Sequence, residues 1–168
     1  MTYFWLDQTT DKRYNEGRPF SYGDINYTAA GATAETFTSL GFTEVLIQPR
    51  PDDRFYIVSG PDNKGQYQAT PRDLDDSTDP DTGVVTPGLK TQWKLQDKQQ
   101  ANSLLSPSDW MVTRKAETNI DMKPEWEQYR SAIRTTGPIR SNQINDVKTV
   151  EELESLDLSP WPDVPVSQ

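Results

Sequence analysis

The sequence predicts an α+β protein whose strands and helices are segregated along the chain. Three observations carry this. Short runs rich in aromatic and β-branched residues, bounded by Gly and Pro, all fall within 1–70. Helical spacing and capping signals, apart from one short helix, all fall after residue 88. Between them PRDLDDSTDPDTGVVTP (71–87) has the composition of a linker. The expected organisation is a small, mainly antiparallel β module with one short helix (1–70), an acidic Pro/Asp-rich linker (71–88), a helical module built on a helical hairpin (89–158) and an extended Pro-rich tail (159–168).

Within the β module, Tyr3-Phe4-Trp5-Leu6 is a short aromatic strand, and Asp7 to Glu16 reads as a polar turn. Phe20, Tyr22, Ile25 and Tyr27 flank Gly23-Asp24 in a hairpin pattern. Thr33 to Leu40 is a brief helix: Thr33 is placed as N-cap, Glu35 lies in the first turn, and Gly41 falls where a left-handed C-cap belongs. FTEVLIQ (42–48) and RFYIVS (54–59) are the best strands. Gly65 to Thr70 is expected to fold back on the second through the Pro61-Asp62-Asn63-Lys64 turn.

Leu89 to Leu105 reads as a helix whose middle of Gln, Asp and Lys does not suit a core. Gln92, Gln96 and Gln99 would occupy seam positions, which argues against a coiled coil. The most decided pattern is SDWMVTRKAETNIDMKPEWEQYRSAIR (108–134), a helical hairpin. Ser108 is placed as its first N-cap, Asn119 to Lys123 is the turn, and Pro124 enters the second helix where its missing N–H costs nothing. Glu125 and Glu127 lie near the positive end of that helix, Arg130 and Arg134 near the negative end, and Gly137-Pro138 is expected to stop it. Trp126, Tyr129 and Ile133 form one stripe, with Trp110 as its expected mate. Thr149-Val150-Glu151-Glu152 matches a capping box opening a last helix through Leu156. The prolines of SPWPDVPVSQ keep Ser159 to Gln168 extended.

Cysteine and histidine are both absent, so disulfides, thiolate nucleophiles, Cys/His zinc sites and imidazole-dependent triads are excluded. A net charge of -9 and no basic patch with interleaved aromatics argue against nucleic acid as a partner. No apolar run approaches the length of a bilayer span, so no membrane contact is expected. The remaining chemistry is thin. Asp73, Asp75, Asp76, Asp79 and Asp81 could gather calcium, but Thr78 stands where an EF-hand loop needs glycine, and a solvated acidic loop is the favoured reading. Asp52-Asp53 beside Arg54 suits a turn with local pairing better than an acid–base pair. Arg114, Lys115, Arg130 and Arg134 offer a basic stripe for an acidic partner, or pair with Glu117 and Glu127, with Trp126 and Arg130 placed for a cation–π contact. No catalytic, cofactor or metal residues are expected.

A hydrophobic fraction of 33% makes for a thin independent core. Five tryptophans and seven tyrosines either supply interface area or compensate for few aliphatics, and both readings stay open. Tyr3, Phe4, Trp5, Trp93 and Trp161 lack aliphatic neighbours in sequence and are the candidate partner-binding residues.

Leu104-Leu105-Ser106-Pro107-Ser108-Asp109-Trp110, followed by Arg114, Lys115, Glu117, Pro124, Tyr129-Arg130 and Arg134, resembles the C-terminal segment of small tailed-bacteriophage proteins. There an LL-x-x-x-DW start and a P-x-x-x-x-YR-x-x-x-R finish frame a helical hairpin. The segment occurs in tail-fibre assembly and tail-assembly-chaperone-like proteins and in small structural proteins of phages infecting cyanobacteria. LGFTEVLIQPRPDDRFYIVSG (40–60) is similar to the latter group. The resemblance implies a non-enzymatic virion structural protein of the tail, baseplate or fibre-attachment region, made in the host cytoplasm. The alternative is a transient tail or tail-fibre assembly chaperone, and a carboxylate-based glycan hydrolase is the weakest reading. Its implied partners are other phage tail or fibre proteins, in multiple copies of a symmetric assembly. The N-terminal strand and the C-terminal tail are then expected to lie on other subunits.

Overall fold

The computed structural model describes residues 2–165 and divides into two compact units, Met1–Pro71 and Arg72–Gln168. The expected α+β segregation is present: antiparallel strands dominate the first unit and helices the second.

The first unit is organised by β1 (Tyr3–Asp7), which lies between β2 (Lys12–Tyr14) and β5 (Thr43–Leu46) in an antiparallel sheet of order β2-β1-β5. Trp5 sits opposite Tyr14 on one side and Glu44 on the other. The segment Asp7 to Glu16, expected as a turn, therefore contains a strand. Its turn is made by Asp7, whose carboxylate accepts from Thr9 N at 2.9 Å and Thr10 Oγ1 at 2.5 Å, a side-chain closure that lets so polar a stretch reverse tightly. The hairpin of β3 (Phe20–Tyr22) and β4 (Ile25–Tyr27) forms as expected, as does that of β6 (Tyr56–Ser59) and β7 (Gln68–Pro71).

Helix α1 (Ala34–Ser39) shows how local signals lock a short element. Thr33 Oγ1 accepts from Thr36 N, and Gly41 takes φ +78. Gly41 N donates to Thr38 O and Phe42 N to Phe37 O, both at 3.0 Å, with the Phe37 and Phe42 rings 5.8 Å apart. That is a Schellman ending with its hydrophobic contact. The same two rings anchor the core, which gathers Trp5, Ala32, Phe37 and Phe42, with Tyr14, Phe20, Tyr22 and Leu40 packed around it. Aromatic rings fill the space that aliphatic side chains usually fill. Trp5 stacks on Phe37 at 5.6 Å, Tyr14 on Phe42 at 5.0 Å, and Phe20 tilts over Phe37 at 4.9 Å.

The second unit begins with the acidic stretch, which is a structured cap rather than a linker. Its hairpin, β8 (Ser77–Thr78) with β9 (Val85–Thr86), brings residues 73–76 onto the start of α2 (Leu89–Leu105). Asp76 Oδ1 accepts from Gly88 N at 2.9 Å, Asp73 O from Leu89 N at 2.9 Å, and Leu74 O from Lys90 N at 3.0 Å. N–H groups that a helix start leaves open are thereby satisfied, and carboxylates gather at the positive end of the helix. Gly88 permits the approach: a Cβ there would lie 2.4 Å from Asp75 O.

Helix α2 runs over the expected residues and turns through a 3-10 segment, Ser106–Ser108, into α3 (Asp109–Thr118). Asn119, at φ 55, ends α3, and Pro124 opens α4 (Pro124–Asp146), as expected. Two expectations fail here. Ser108 makes no side-chain cap; it is fully buried and its Oγ donates to Leu105 O at 2.8 Å. Gly137-Pro138 does not stop α4, which continues to Asp146. A proline inside a helix costs about 3 kcal/mol. The continuation is offset by tertiary burial, because Ile133, Arg140 and Ile144 lie on one face and all are buried. Helix α5 (Val150–Glu154) is opened by Thr149, whose hydroxyl accepts from Glu152 N at 3.2 Å, and it buries Val150 and Leu153.

Candidate functional site

Two arginines of α4 organise the helical unit. Arg130 Nη1 donates to Leu105 O at 2.9 Å and to Ser108 Oγ at 2.5 Å, while Nη2 reaches Asp109 Oδ1 at 2.8 Å. A planar fork suits this corner, where the end of α2 exposes a carbonyl and the start of α3 offers a carboxylate. Arg130 is therefore not the cation over Trp126 that its spacing suggested. Arg140 meets Asp97 of α2, with Nε and Nη2 both 2.7 Å from Oδ1, and each residue is 8% exposed. The polar centre of α2 is thus partly a core position, which a helix judged on its own hydrophobicity does not reveal.

Between α2 and α4 lies a groove of about 540 Å³. Ala101, Leu105, Ile133 and Pro138 line it with apolar surface, and Lys94, Lys98 and Arg134 supply charge, with Asp97 already engaged by Arg140.

The five candidate partner-binding residues part company. Phe4 and Trp5 are 4% and 6% exposed and belong to the core of the first unit, so their expected role as docking aromatics is withdrawn. As the central strand, β1 is covered by neighbours that arrive from residues 12–14 and 43–46. Trp5 Nε1 also donates to Glu16 Oε1 at 3.0 Å, and Arg13 lies over the Phe4 ring at 4.9 Å. Tyr3 is exposed; its hydrogen bond to Glu16 holds the phenol above its ordinary pKa. Trp93 is half-buried on α2. Trp161 is half-buried under its own chain: Arg140 stacks on it at 4.6 Å and donates to Ser159 O at 2.5 Å, and Ser159 N donates to Gln143 Oε1 at 3.1 Å. The tail thus clasps α4 of its own chain through Ser159 and Trp161; its last three positions, 166–168, lie outside the described residues.

Trp110, the expected mate of the Trp126 stripe, is 54% exposed with Arg114 stacked on it at 4.9 Å. Trp126 meets Tyr129 edge-to-face at 5.7 Å, and Tyr129 and Ile133 are buried as expected. Lys115 takes Asp121 at 3.0 Å and Glu127 at 3.4 Å, and these partners, Asp121 foremost, raise its pKa. The carboxylate pair Asp52 and Asp53 is divided between local arginines, Arg54 at 2.6 Å and Arg50 at 2.8 Å. The Arg54 hydrogen bond holds Asp52 below its ordinary range. In the acidic stretch, backbone N–H groups of Thr82 and Asp81 do the same for Asp79. Among the described residues no three acidic groups converge on one point, and no helix is long and apolar enough to cross a membrane.

No family model matches this chain, and neither a curated protein nor a solved structure does.

Proposed function

We propose that this chain is a non-enzymatic structural protein of a tailed-bacteriophage particle, of the tail, baseplate or fibre-attachment region, acting through contacts with other tail or fibre proteins. The observation that supports this reading is what the residues carrying the phage resemblance do. Leu105, Ser108, Asp109 and Arg130 meet in one hydrogen-bonded corner at 2.5 to 2.9 Å. They hold a scaffold together, and none presents a group poised for reaction. The groove of the same unit is lined by both aliphatic and charged side chains, the combination that suits a protein segment.

Mass spectrometry of purified particles tests the reading. The chain is expected in intact virions at a stoichiometric copy number relative to the capsid protein. Absence from particles, with co-purification on a fibre or tail protein before assembly, would replace it with the transient chaperone.

A further inference from the structure

We infer that the groove between α2 and α4 docks an acidic segment of a partner protein, one that carries an aliphatic anchor among its carboxylates. The inference rests on the reading of this chain as one that works through protein contacts, and adds the chemistry of one contact. At about 540 Å³ the groove is within the size range of sites that enclose a ligand. Ala101, Leu105, Ile133 and Pro138 give its lining an aliphatic part, beside which Ser141 and Asn142 offer hydrogen-bonding side chains. The aliphatic part rewards an apolar side chain, which a bare anion does not bring.

Charge decides the rest. Lys94, Lys98 and Arg134 line a groove on a chain whose net charge is -9. None of the ion pairs among the described residues uses Lys98 or Arg134. Lys94 donates to the neutral Asn145 Oδ1 at 2.9 Å and also lends its field to Asp76. The one carboxylate in the lining, Asp97, is neutralised by Arg140 from behind. An incoming acidic segment therefore meets three cations and no uncompensated anion. A basic segment is repelled at the same place, which is how a charged rim selects partners.

The test uses the full chain and a fluorescein-labelled peptide, EDELLEDE-amide, read by fluorescence anisotropy. Binding is expected with a Kd on the order of 100 μM, a modest affinity suited to one short segment. It should weaken about tenfold in the double variant Lys98→Glu/Arg134→Glu, and similarly when serines replace the two leucines of the peptide. Raising the salt should weaken it further. Both substitutions lie at exposed positions, and an unchanged melting temperature confirms the fold; the peptide and salt comparisons on the unaltered chain need no variant. Equal binding of the lysine counterpart KKKLLKKK, or full displacement by a short single-stranded oligonucleotide, overturns the assignment. So does self-association of the chain that the double variant abolishes, because a second copy then fills the groove. Peptide binding by a chain absent from virions would sink the structural-protein reading and leave the groove standing; incorporation without peptide binding would do the reverse.

Discussion

Arg140 and Asp97, 43 residues apart in sequence, meet at 2.7 Å with both side chains buried, and the pair ties α4 to α2. Paired, each charge is satisfied; broken, one is left in a low-dielectric site. Arg140→Ala is expected to destabilise the protein by about 3–5 kcal/mol in chemical denaturation. The double variant Asp97→Leu/Arg140→Met should recover most of that loss. A single variant that costs under about 1 kcal/mol would show that the pair does not hold the helices together.

Arg130→Lys keeps the charge and loses the fork. A single ammonium nitrogen cannot stand at both the Nη1 position that reaches Leu105 O and Ser108 Oγ and the Nη2 position that reaches Asp109, so one acceptor at the α2–α3 corner is left short. The expected cost is about 1–3 kcal/mol, read from the denaturation midpoint. Amide exchange should quicken around 105–109. Unchanged exchange there would count against the corner.

Gly137→Ala tests the continuity of α4. The added Cβ would lie 3.8 Å from Trp161 Cη2, an ordinary contact, and alanine is about 1 kcal/mol better than glycine inside a helix. A stability gain approaching that value is expected. Were Gly137 instead a left-handed terminus, the same change would destabilise.

Two aromatic rings should behave in opposite ways. Phe37, 0% exposed at the centre of the first core, is expected to cost about 3–5 kcal/mol when truncated to alanine. Trp110→Ala, at 54% exposure, should change stability by under about 0.5 kcal/mol. A large loss from Trp110→Ala would show that the ring is packed and not exposed.

Asp7 supplies a pH dependence with a definite sign. Thr10 Oγ1, and then the backbone N–H groups of Thr9 and Thr10, hold its carboxyl below the ordinary aspartate value of 3.8. The unfolded chain therefore binds the proton more readily than the folded one. Stability from this group is present above about pH 4 and lost as pH falls through the lower, folded value. Asp7→Asn should be less stable than the parent at neutral pH, with the gap narrowing in urea melts near pH 3. A gap that stays constant between the two would show that the charge is not what the turn uses.

What the sequence determined by itself is what its residues settle within a turn or so of chain. Thr33 and Gly41 around α1, Asn119 at the end of α3 and Pro124 at the start of α4, and Thr149 with Glu152 in the first turn of α5 all act through hydrogen bonds or dihedral preferences spanning a few residues. The segregation of strands and helices followed from the same local signals. Tertiary structure alone decided which aromatics are core and what the acidic stretch does. Trp5 is buried because Tyr14, Phe37 and Phe42 converge on it from other elements, whereas Trp110 gathers no such neighbours and stays exposed. Residues 73–76 became a helix cap because β8 and β9 fold them back onto Gly88, Leu89 and Lys90. Helix α4 crosses Gly137-Pro138 because Arg140 and Ile144 find burial, with Asp97 waiting on α2. Each of these depends on a partner that is distant in the chain, and the free energy of burial, unlike that of a cap, is set by neighbours that residue spacing does not encode.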